Sequence, residues 1–148
     1  MIFYIRLSII IIIITFSNLN LVYGHQSRHR NVLDGELETC SLSPMTGFTR
    51  TGKCETNEYD YGTHLVCAKV TQQFLTYTKS QGNDLSTPTS YFPGLKPGDN
   101  WCLCVYRWVQ AYKDGVAPPP VLNATHHATL DYLKQYNLNL GDLKRVQP

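Results

Sequence analysis

The sequence predicts an α+β fold: a compact single domain of short strands, about three helices and long ordered loops. Two observations lead there. Buried-strand patterns are followed directly by helical spacing at residues 64–82 and again at 101–115, and such alternation of period two and period 3.6 marks mixed architecture. Between and before these units lie long segments dense in Gly, Pro, Asp, Asn and Thr, which read as turns and loops.

The elements follow in order. Residues 1–24 have a cationic residue at Arg6, an apolar run from Leu7 with six consecutive isoleucines, and small residues at Val22 and Gly24. These are the parts of a secretory signal peptide, with cleavage expected after Gly24. Ser17, Asn18 and Asn20 cut the run short of the roughly 20 apolar residues that a spanning helix needs. No second apolar run follows, so the expected localisation is secreted or the secretory-pathway lumen, with no membrane span after signal removal. Residues 25–30 read as a flexible lead-in, and 31–148 as a single domain of a size that supports one core.

Residues 31–62 read as loop, with a short strand at Val32 and Leu33. The run at 64–70 reads as a mostly buried strand. Thr71 fits a helix N-cap, Phe74, Leu75 and Thr78 recur at helical spacing behind it, and Gly82 stops that helix. Residues 83–100 carry Thr87-Pro88, Pro93-Gly94 and Pro97-Gly98. A Pro-Gly pair suits a type II turn, and an ordered connection this long is a functional loop or a surface lid. Residues 101–105 read as a short strand. Val105, Trp108, Val109 and Tyr112 then define a helix face that ends at Gly115. Pro118-Pro119-Pro120 is a stiff extended linker, and Thr125 is placed to cap a last helix carrying Leu130, Leu133 and Tyr136.

Net charge is only +2, and the basic residues are scattered. A nucleic-acid surface needs a clustered basic face, so the expected partner is a small molecule or a protein. Ten tyrosines and two tryptophans indicate aromatic-rich packing. Glycine-rich nucleotide loops, zincin helix motifs and serine-nucleophile elbows are absent from the sequence.

Chemistry centres on five cysteines: Cys40, Cys54, Cys67, Cys102 and Cys104. On a strand Cys102 and Cys104 face one side and Leu103 the other. Three readings compete. The first is structural disulfides, for which five cysteines allow two bridges and one free thiol; Cys102 and Cys104 are poorly spaced to bridge each other, and spacing does not choose the pairing. The second is a zinc site with candidate ligands Cys67, Cys102, Cys104 and His64, and His126 as a further imidazole. The third is thiol catalysis. A reactive thiolate needs a neighbouring base or cation, for which His64, His126 and Arg107 are candidates, with Asp84 or Asp99 to orient the histidine.

Several segments carry a resemblance. They include Pro44-Met45-Thr46-Gly47-Phe48, His64-Leu65-Val66-Cys67-Ala68, Gly82-Asn83-Asp84-Leu85-Ser86-Thr87-Pro88, and the run from Phe92-Pro93-Gly94-Leu95-Lys96-Pro97-Gly98-Asp99 to Asn100-Trp101-Cys102-Leu103-Cys104. Arg107-Trp108, Gly115-Val116-Ala117-Pro118-Pro119 and Ala124-Thr125-His126 complete the set. Over residues 31–143 the chain resembles the family called domain of unknown function 2237, found widely in bacteria and in some eukaryotes. The resemblance brings no activity with it. It implies that the cysteine positions also occur in members without a signal peptide, where thiols are normally reduced. That shifts weight from disulfides toward a metal or reactive-thiol site. Two departures stand out: Gly52-Lys53-Cys54 replaces the family's Gly-Cys-Cys, and Asn123 replaces its Glu. Asn123-Ala124-Thr125 is thereby a glycosylation sequon, three residues from His126.

The expected function is therefore a small secreted enzyme or ligand-binding domain with a Cys/His site. Its reactive or ligating sulfur is Cys102 or Cys104, its base or second ligand His64 or His126, and its orienting carboxylate Asp84. Trp101, Arg107 and Cys67 are candidate binding residues, and zinc is the candidate cofactor. The alternative is a disulfide-stabilised extracellular binding or structural module without catalysis.

Overall fold

A computed structural model describes residues 29–146; the expected signal peptide lies outside the described residues. Two strands, β1 (His64–Lys69) and β2 (Asn100–Cys104), form an antiparallel pair. Among the described residues four α-helices accompany them: α1 (Gln72–Ser80), α2 (Val105–Lys113), α3 (Thr129–Lys134) and α4 (Leu140–Arg145). The fold is a compact α+β arrangement, as the sequence predicts.

Each strand runs almost directly into a helix. Thr71 caps α1 by accepting the Phe74 amide at 3.1 Å, which satisfies one of the helix's orphan donors. Strand β2 turns straight into α2, with Cys104 as its last residue and as the N-cap position of the helix. Helix α2 buries Val105, Trp108, Val109 and Ala111, against Phe74 and Leu75 of α1, Leu133 of α3 and Leu143 of α4 in one core. The indole of Trp108 is fully buried and donates to the Pro118 carbonyl at 3.1 Å, so its polar atom is satisfied inside the core.

The strand register sets the site. Cys67 pairs with Cys102, Val66 with Leu103 and His64 with Cys104, with a bulge between His64 and Val66. A bulge re-aims the side chains beside it. Here it brings His64 opposite Cys104 at the point where the strand becomes a helix. Thr63, just before it, has φ 49°, a left-handed conformation uncommon outside glycine. Its carbonyl accepts both the Leu65 amide at 2.8 Å and the Val105 amide at 3.1 Å, so the bend is tied to the start of α2. The other edge of β1 is covered by the extended Pro segment, through Lys69 N–H to Pro119 and Val121 N–H to Cys67.

Four expectations need correction. Val32 and Leu33 are a turn flanked by isolated bridges, because the Asn31 side chain accepts the amides of Leu33 and Gly35. Thr125 is not the N-cap of a helix: it is buried and its hydroxyl donates to the Val121 carbonyl at 2.9 Å. A short 3-10 turn (Leu122–Ala124) stands there instead. The C-terminal region holds two helices rather than one, the second started by an Asn139–Asp142 capping box. His29 and Arg30, expected in the flexible lead-in, make contacts of the fold: His29 hydrogen-bonds His126 and Arg30 bridges to Glu36. In contrast, Gly94 and Gly98 adopt φ of 72° and 98°, as the two Pro-Gly turns require.

Candidate functional site

Four of the five cysteines are joined in two disulfides, Cys40–Cys67 and Cys54–Cys102. Each links one strand of the sheet to the loop at residues 40–54, and all four residues are buried. The Thr46 hydroxyl accepts the Cys102 amide at 2.9 Å, a third tie between that loop and β2. The loop thereby carries Phe48 and Arg50 to the end of the sheet where His64 and Cys104 meet.

Cys104 is the one free thiol among the described residues, and it is partly exposed. In the strand register it stands opposite His64, and its side chain acts on that imidazole. On its far side the imidazole is held by Asp60: Nδ1 lies 2.6 Å from one carboxylate oxygen, and the second accepts the His64 amide at 2.9 Å. The Asp60 side chain is fully buried. With Nδ1 engaged, Nε2 is the nitrogen left for the thiol. The ring is confined on its faces as well. Phe48 stacks on it with centroids 6.1 Å apart, and a Cβ placed on Gly62 would lie 2.3 Å from its Cε1 atom.

These partners act in one direction on the imidazole. The neighbouring Cys104 side chain, with Asp60 adding to it and burial opposing, pushes the His64 pKa up to about 9. At neutral pH this histidine is a cation beside a sulfur at a helix N-terminus.

Two connected spaces open at the site. A cleft of about 450 Å³ is lined by Phe48, Arg50, His64, Asp84, Phe92 and Trp101, among others. A small recess of about 70 Å³ adjoins it, reaching Cys104 and Arg107. Arg50 has φ 57°, and its guanidinium lies over the Trp101 ring, 5.0 Å from the centroid.

The structure sorts the sequence candidates. His64, Cys104, Trp101, Asp84 and Arg107 all border the cleft or its recess. Cys102 and Cys67 are disulfide-bonded, so neither offers a thiol for attack or a thiolate for zinc. The sulfurs of Cys40, Cys54 and Cys102 lie within 4.8 Å of one another, but as bonded disulfide atoms rather than the thiolates that bind zinc. His126 does not join the thiol: it is buried, its Nε2 lies 3.1 Å from His29 Nδ1, and its Nδ1 accepts the Ala128 amide. Burial first, then the neighbouring His29 and His127, press its pKa down to about 4.

Asp84 lines the cleft but orients no histidine. It pairs with Lys79 at 2.9 Å and accepts from Thr87 and the Ser86 amide, contacts that hold its carboxyl well below the usual range. Arg107 directs its guanidinium to Gln81 and Gln110. Asn123 is exposed, and its side chain donates to Glu38.

Sequence reasoning missed Asp60, Phe48 and Arg50. The only trace of Asp60 is its place four residues before His64, inside a stretch that reads as featureless loop.

No curated protein matches the chain. Its match is to a family model described as "Uncharacterized protein conserved in bacteria (DUF2237)", over residues 30–141. The chain belongs to that family.

Proposed function

We propose that the protein is a secreted thiol enzyme in which Cys104 attacks an electrophilic carbon of a small substrate. One observation carries this reading: the single cysteine left out of the disulfides is the one set opposite a histidine that a buried carboxylate holds. Nucleophile, base and orienting group in sequence are the arrangement that covalent catalysis uses. The disulfide-stapled module accounts for four cysteines and gives no reason for the fifth to sit against His64 and Asp60.

The roles follow from position. His64, already carrying a proton on Nε2 at neutral pH, gives it to the leaving group as the bond to Cys104 forms. Asp60 fixes the ring so that Nε2 faces sulfur and stabilises the imidazolium. A tetrahedral oxyanion formed on a carbonyl substrate meets the first-turn amides of α2, donors with no partner inside their own helix. Val105 N–H is not among them, being bonded to Thr63.

Passage through an oxidising compartment fits two buried disulfides in a small domain, and the apolar segment ending at Gly24 would direct it there. Asn123 would then be a glycan acceptor, placed on the exposed 3-10 turn away from the cleft residues.

The test uses p-nitrophenyl acetate. Thiolate attack forms the S–acyl bond, breaks the ester C–O bond and releases p-nitrophenolate. The expected result is an acetyl adduct that peptide mapping places on Cys104 and that the Cys104→Ser variant lacks. Acylation only of lysines or of no residue would remove the proposal.

A further inference from the structure

The reading of Cys104 as nucleophile leaves the substrate open, and the charges around the cleft narrow it. Arg50, His64 and Arg107 line the two spaces as cations, and Asp84 is the one acidic residue on their walls. Asp84 is already neutralised by Lys79 and saturated by Thr87 and Ser86. Arg107 is committed to Gln81 and Gln110. Asp60 is turned toward His64. Arg50 differs from all of these. Among the described residues its side chain makes no ion pair and lies over the face of Trp101. It is also one of few non-glycine residues at positive φ. Strained backbone of that kind persists where surrounding structure holds it, and it clusters at ligand-binding sites.

An arginine set over an indole leaves its N–H donors available, and a guanidinium matches a carboxylate. The cleft volume lies in the small-molecule range, and its aromatic walls, Phe48, Phe92 and Trp101, suit an apolar body. We infer that Arg50 is the anion-recognition residue of this site and that the substrate is a small organic carboxylate whose electrophilic carbon is presented to Cys104. The inference rests on the reading of Cys104 as a nucleophile.

The test separates the two. Iodoacetate and iodoacetamide alkylate a thiolate by the same step: the S–C bond forms, the C–I bond breaks and iodide leaves. They differ in that iodoacetate carries a carboxylate. Rates at Cys104 are measured for both reagents, by mass spectrometry, and compared with glutathione. The expected result is an iodoacetate-to-iodoacetamide rate ratio about tenfold or more above that of glutathione, the scale of one charge-assisted contact. Arg50→Gln should collapse the ratio to the glutathione value, and Arg50→Lys, which keeps the charge, should retain part of it. Circular dichroism confirms that both variants fold. A wild-type ratio equal to that of glutathione, with fast iodoacetamide reaction, overturns the anion site and leaves the nucleophile standing. A ratio that survives Arg50→Gln overturns the role of Arg50. Slow reaction with both reagents overturns nucleophile and anion site together.

Discussion

The carboxylate of Asp60 holds His64 twice, accepting its backbone amide at 2.9 Å and lying 2.6 Å from its ring Nδ1. A four-residue loop segment thus fixes both the position of the residue and the plane of its side chain before the strand begins. Asp60→Asn keeps the shape and removes the charge that steadies an imidazolium. The expected outcome is a fall of about tenfold to a hundredfold in Cys104 acylation rate, with near-native circular dichroism. A variant as reactive as wild type would show that Asp60 has only a structural role.

Gly62 makes a sharper steric test. Any Cβ there meets the His64 ring at 2.3 Å, and the ring has Phe48 on its other side. Gly62→Ala should displace the imidazole from Cys104 and lower thiol reactivity to about the level of the Asp60→Asn variant. The readout is the rate of iodoacetamide modification, with thermal unfolding to show that the domain persists.

The two structural histidines pull stability in opposite directions with pH. His64 is raised to about 9 in the folded protein, so its contribution is fully present below the ordinary value of 6.5 and is lost as pH rises toward 9. His126 is depressed to about 4. Its contribution is present above 6.5 and is lost as pH falls toward 4. Denaturant midpoints measured across this range should peak near pH 6.5. His64→Gln should flatten the alkaline side, and His126→Gln the acid side between 6.5 and 4.

The disulfides should matter twice. They close spans of 27 and 48 residues, and chain entropy alone makes loops of such size worth about 3–4 kcal/mol each, not additive where they overlap. They also pin the loop that carries Phe48 and Arg50. The Cys40→Ser/Cys67→Ser double variant should lose that stability in chemical denaturation. It should also lose reactivity at Cys104, although neither residue touches the thiol.

Much of the frame was legible because it is local. The Thr71 cap, the face of Val105, Trp108 and Val109, and the Pro-Gly turns each depend on residues a few positions apart. Two bridges and one free thiol was one arrangement that five cysteines allowed, beside a zinc site and a reactive-thiol site. Which thiol remained free did not, because pairing depends on how the 40–54 loop lies against the sheet. Thr125 misled for a related reason: a buried hydroxyl satisfied by the Val121 carbonyl looks, in sequence, like a cap. Asp84 looked like the orienting acid because it sits in a motif-rich loop, and its carboxylate is spent holding that loop together. Asp60 was invisible because only the bulge and the left-handed Thr63 turn His64 back toward it.

The central claim is that His64 activates Cys104. The most direct measurement is the pH dependence of iodoacetamide modification at Cys104, followed by peptide mapping in wild type and His64→Gln. Wild-type reaction at about pH 6 is expected to be at least about tenfold faster than that of a free cysteine, changing little until about pH 8. The variant should react no faster than free cysteine at each pH. Wild-type and variant curves that coincide with each other and with free cysteine would contradict it.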